Sequence, residues 1–72
     1  MPRLRLGVVT AFDDGVGLGT VTASDGTAYP FHCTQIADGS RTIAVGTAVE
    51  FEVVPWHLGR YEAVRIAPRA PS

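Results

Sequence analysis

Apolar and polar residues alternate along this chain in short runs cut by glycine. Thr47 to Val54 shows the pattern most cleanly. Val49, Phe51 and Val53 fall on one side and Glu50 and Glu52 on the other, the period of two that marks a half-buried strand. Arg60 to Ala67 alternates again and sets Val64 and Ile66 on one side. Leu4 to Phe12, Leu18 to Ala23 and Ala28 to Cys33 are rich in Val, Thr, Phe and Tyr, side chains that suit a pleated surface. These five segments are the expected strands. Thr34 to Ala37 is expected to form a single helical turn, and no amphipathic helix of useful length remains.

The punctuation between the runs carries its own chemistry. Asp13-Asp14-Gly15 supplies a turn, and the Asp-Gly pair in Ser24-Asp25-Gly26-Thr27 predicts a two-residue hairpin turn. Asp38-Gly39-Ser40-Arg41-Thr42 reads as a polar loop, and Pro55-Trp56-His57-Leu58-Gly59 interrupts the chain before the last strand. Gly7 predicts a bulge or tight bend in the first strand. Pro30 has no amide hydrogen, so it predicts an edge or a bulge in the third. Five strands in 72 residues are too few for two stacked sheets with full cores, whereas a curled sheet fills its own interior with side chains. The expected fold is an all-β, five-stranded antiparallel barrel over residues 1–67 with a short tail over 68–72.

Composition narrows the function classes. The chain is 46% apolar, too much for a disordered segment, and its net charge of −1 is unlike a basic nucleic-acid arm. The six basic side chains are all arginine and lysine is absent, against seven acids. Cys33 is the lone cysteine, and with His32 and His57 it falls short of a tetrahedral zinc set, so no disulfide, metal or cofactor is expected. No run approaches the roughly 18 to 20 apolar residues of a membrane helix. Met1-Pro2-Arg3-Leu4-Arg5 is not followed by the apolar block of a signal peptide. A soluble, cytoplasmic domain without a membrane partner is expected.

Candidate catalytic groups do not converge. Gly15-Val16-Gly17-Leu18-Gly19 suggests a phosphate loop, but no Lys-Ser/Thr follows and barrel glycines explain it better. His32 and Cys33 are neighbours on a strand, so their side chains point to opposite faces and form no nucleophile–base pair; a buried structural thiol is expected. Asp13, Asp14, Glu50 and Glu52 read as turn and solvated-face residues. No catalytic residue is assigned.

Three stretches share a pattern with a known family. In Gly7-Val8-Val9-Thr10-Ala11-Phe12-Asp13, Gly17-Leu18-Gly19-Thr20-Val21 and Tyr29-Pro30-Phe31-His32, with Asp25-Gly26 between them and Gly46 to Phe51 beyond, the chain resembles the cold-shock domain. That family is a five-stranded oligonucleotide-binding (OB-fold) barrel. The resemblance implies binding of single-stranded RNA or DNA, whose bases stack on outward rings beside cations for the phosphates. Phe12 and His32 keep the family's identities. Ala11, Leu18, Thr20, Pro30, Cys33 and Ser40 stand where the family has aromatic rings, and the lysines near Thr10 and Val16 are missing. At roughly 1–3 kcal/mol per stacked base, the loss of three rings removes a thousandfold or more in affinity.

The resemblance therefore implies weak or context-specific binding on a sheet face carrying Phe12, Leu18, Thr20, Pro30 and His32, with Arg41, Trp56 and Arg60 at its rim. Each has a plainer reading. His32 is a base contact or an ordinary strand histidine, and Arg41 a phosphate contact or a loop cation. Trp56 is a contact residue or a cover for the open barrel end, and Tyr61 is ambiguous in the same way. Arg3 and Arg5 read as solubilising charges. The alternative function is a protein partner or self-association, which suits the more apolar face left by Val16, Leu18, Thr20 and Pro30.

Overall fold

The alternating runs form one antiparallel sheet in the computed structural model, which describes residues 4–56 and 58–69. The strands are β1 (Arg5–Asp13), β2 (Leu18–Ala23), β3 (Ala28–His32), β4 (Ala48–Pro55) and β5 (Tyr61–Pro68), in the spatial order β3-β2-β1-β4-β5. A 3-10 turn over Cys33–Gln35 follows β3, where the helical turn was expected one residue later. Pro68 closes β5 rather than opening a tail, because it pairs with Val49 and the next amide, Arg69 N–H, donates to Ala48 O. Arg3, His57 and residues 70–72 lie outside the described residues, as do the expectations placed on them. Among the described residues no helix is long and apolar enough to cross a membrane.

Two bulges shape the barrel, and neither is where alternation or glycine content pointed. In β1 the register with β2 slips between Val9 and Ala11, so Thr10 is the extra residue and Gly7 is not. Gly7 serves a different need: a Cβ there would strike Thr22 O and the Phe51 ring. In β5 the slip falls opposite Phe51, and Arg65 takes the left-handed conformation at φ 53°. An extra residue turns inward side chains from every second position to every third. Val9 and Phe12 both face inward for this reason, and so do Ala63 and Ile66. The expected pairing of Val64 with Ile66 on one face is therefore corrected: Val64 sits opposite Glu52 on the other side.

The core consists of Val9, Val21, Ala23, Phe31, Ile36, Val49, Phe51, Ala63 and Ile66, with Phe12, Tyr29, Cys33, Ile43 and Val53 packed against it. Glu52 is not a plain solvated residue. Its side chain is mostly covered and takes Arg65 Nη1 at 3.1 Å, which anchors the bulge. The β2–β3 hairpin uses a three-residue loop instead of the expected two. Gly26 N–H donates to Ala23 O, Gly26 holds φ 90°, and Ala23 N–H reaches across to Thr27 O. This is a turn closed by a glycine bulge.

Pro30 lies on β3, which is the edge of the ladder, as its missing donor required. The barrel is closed beyond β3 by the segment that follows it. Ala37 N–H donates to Ile66 O at 2.8 Å, and Ile36 bridges Ile66 in parallel. Alongside β3 itself no ladder joins it to β5, and a seam remains between these two edges.

Candidate nucleic-acid interface

Strand alternation sorts β2 and β3 into an inner and an outer set. Gly19, Val21 and Phe31 point into the core, while the facing pairs Leu18 with His32 and Thr20 with Pro30 stand outside. Four of the expected site residues are thus brought together as two neighbouring cross-strand pairs. Leu18 is 52% exposed. Asp13 and Ala11 of β1 extend the same surface, opposite Leu18 and Thr20.

Phe12 does not belong to that outer row. Because Thr10 is a bulge, Phe12 pairs with Gly19 and faces inward, stacked on Phe31 with ring centroids 5.9 Å apart and planes at 13°. Gly19 makes room for this: a Cβ on it would lie 2.5 Å from Phe31 Cζ. Only a part of Phe12 reaches the surface, in a shallow depression of about 260 Å³ shared with Ala11, Asp13, Leu18, Gly19 and Thr20.

His32 ends β3 and caps the 3-10 turn. Thr34 N–H donates to His32 Nδ1 at 3.2 Å, with Thr34 Oγ1 3.0 Å away. A ring nitrogen that receives a backbone N–H must present its lone pair, so the neutral ring carries its proton on Nε2. Cys33 starts the turn and no longer follows strand alternation; its Sγ comes within 3.9 Å of the same Nδ1. The expectation of opposite faces is corrected on this point. The pair still lacks a base, since Thr34 N–H already occupies that lone pair, and the half-buried thiol packs under Gly17, whose Cβ would lie 2.8 Å from Sγ.

The seam between β3 and β5 forms a groove of about 330 Å³, lined by Leu18, Gly19, Pro30, Phe31, His32, Trp56 and Glu62. Trp56 stands at the end of the seam. It is 44% exposed, and it walls this groove beside buried Phe31. Its position is set by the tight β4–β5 connection, in which Trp56 N–H donates to Arg60 O at 2.7 Å. Arg60 and Tyr61 line a second groove of about 310 Å³ with Thr27, Ala28, Tyr29 and Pro30. Pro30 is the shared wall. Arg41 stays apart in the loop before β4, with φ 62°, and lines neither groove.

Charge is sparse along this surface. Asp13 and Glu62 border it on the acidic side and Arg60 on the basic side. Arg5 lies over the Tyr29 ring at 5.9 Å, and Arg65 is engaged by Glu52. Asp25 and Asp38 sit in turns, where the Thr27 and Ser40 amides, respectively, hold their carboxyls below the ordinary value. Among the described residues no three His, Cys, Asp or Glu side chains gather into a metal-holding group. Sequence reasoning missed Glu62, since nothing in strand alternation shows that β5 will border β3.

The family model described as the 'Cold-shock' DNA-binding domain matches residues 5–68, the whole of the sheet just described. The chain belongs to the cold-shock domain family. Among solved structures this cold-shock domain is similar to Drosophila Unr CSD456, with 27% identity and a TM-score of 0.82. The match covers 97% of this chain and 28% of that one, so the domain spans little more than a quarter of its relative's length. A search of curated proteins finds no significant match. Its family makes this a domain of nucleic-acid-binding type, and its barrel is an OB-fold.

Proposed function

We propose that this cold-shock domain binds single-stranded RNA or DNA weakly, in the cytoplasm, through the outer face of β2 and β3 and the seam beside it. The observation that carries the reading is the seam groove, where Trp56 and His32 supply rings and Leu18 and Pro30 supply apolar walls. Stacking on an aromatic ring tolerates any base, because every base has a π-face. Thr20 continues the face and Arg60 is the nearest phosphate contact. Arg41, in its separate loop, extends the track only for a strand long enough to reach it. A titration of fluorescent single strands at low salt tests this, with saturable binding expected in the micromolar to millimolar range. Trp56→Ala and His32→Ala should each weaken binding by about 1–3 kcal/mol. Absence of saturation below about millimolar overturns it.

A second reading, a protein-contact surface, draws on the exposed apolar side chains Leu6 and Val8 of β1, which line a groove of about 480 Å³ with Ala48 and Arg69. Sedimentation with and without nuclease separates the two. Association that survives nuclease favours the protein contact.

A further inference from the structure

The seam groove holds a carboxylate where a surface built only for phosphates has no use for one. Glu62 shares the groove with Leu18, Pro30, His32 and Trp56, and among the described residues no cation pairs with it. A carboxylate repels phosphate, yet it accepts two hydrogen bonds side by side. His32 adds a donor, because Thr34 N–H fixes Nδ1 as the acceptor and leaves Nε2–H directed elsewhere. One donor and a pair of acceptors therefore line an apolar slot with an indole wall.

The bases differ in how they meet that set. Guanine presents a carbonyl followed by two adjacent donors, N1–H and the N2 amino group. Thymine and uracil present one donor between two carbonyls, so one carboxylate oxygen meets a carbonyl. Cytosine and adenine turn a ring-nitrogen lone pair toward the carboxylate. We propose that the seam groove is a guanine-selective base site, in which Glu62 accepts from N1–H and the N2 amino group, His32 Nε2–H donates to O6, and the base stacks on Trp56. The inference rests on the nucleic-acid-binding reading above and adds a base preference to it.

The test compares strands of about eight nucleotides, the scale of one OB-fold site. All-thymine DNA and all-uracil RNA are set against the same strands with one central guanine, so the two sugars are read separately. The guanine strand is expected to bind roughly tenfold tighter or more, the discrimination of a good bidentate base contact. Glu62→Gln puts a donor against a donor and should reduce that ratio to about one. Glu50→Gln, on β4 and outside the groove, should keep it. Circular dichroism confirms that both variants fold. Equal affinities for the two strands, or a guanine preference that survives Glu62→Gln, overturn the base site and leave nucleic-acid binding standing. If no strand binds, both readings fall.

Discussion

The two sides of the β2–β3 ladder face different surroundings. Inside, Gly19, Val21 and Phe31 interlock with Phe12 and the rest of the core. Outside, Leu18, Thr20 and Pro30 stand exposed or half-exposed where the resemblance to the cold-shock family implies rings. These residues alternate along the same few positions, yet only the inner set decides whether the barrel forms. Packing is unforgiving, since a core position must match its neighbours in volume. An outward side chain meets mainly solvent and ligand, so it changes without cost to the fold. The comparison separates fold identity, which the inner row carries, from binding strength, which the outer row carries.

The sharpest way to break that separation is to cut the inner row. Phe31→Ala removes a ring that is 2% exposed and should cost about 3–5 kcal/mol. In a domain this small that is most or all of its stability, so chemical denaturation should show a largely unfolded chain. Restoring the outer row should do the opposite. Leu18→Phe with Thr20→Phe should raise single-strand affinity by about 1–3 kcal/mol per ring, read by oligonucleotide titration, while the thermal midpoint moves little. If the double variant instead loses stability, the two rows are not independent.

Gly19→Ala is a finer probe, because its Cβ would press on Phe31 and on Ala11 O at 2.8 Å. A loss of about 1–3 kcal/mol in urea unfolding is expected, against a much smaller loss for Leu18→Ala one residue away. The smallest effect lies in the turns, far from both rows. Asp25 has its carboxyl lowered by the Thr27 amide, so its contribution is present above the ordinary aspartate value of about 4. That contribution is lost as pH falls below it, through the lowered folded value. Asp25→Asn should flatten this part of the acid limb, measured by unfolding between neutral and strongly acid pH.

Much of the fold was legible in the residues. All five strands lie within a residue of where alternation and punctuation set them, and Val49, Phe51 and Val53 face the core as their period of two required. Two of the misplacements, those of Phe12 and Val64, share one cause. The family resemblance sets Phe12 on the outer face and alternation sets Val64 beside Ile66, and each lies beyond a bulge whose residue, Thr10 or Arg65, is neither glycine nor otherwise marked. A bulge is a response to barrel curvature, which exists only once distant strands are in place.

The candidate site divides along the same line. Leu18, Thr20, Pro30 and His32 are set on one surface by the family resemblance, whereas the expected two-residue turn would have put Thr20 opposite Phe31; the three-residue loop shifts the register by one and pairs Thr20 with Pro30. Trp56 and Arg60 could be named but not placed, and nothing in the sequence singled out Glu62 at all. Their position depends on β5 arriving beside β3, some thirty residues apart in sequence, when Ile36 and Ala37 dock on Ile66. Local pattern determines which side chains turn outward, since the pleat has a period of two wherever it is unbroken. Closure of the barrel alone decides which of them share a groove, and so brings Glu62 and His32 to the lining of one seam.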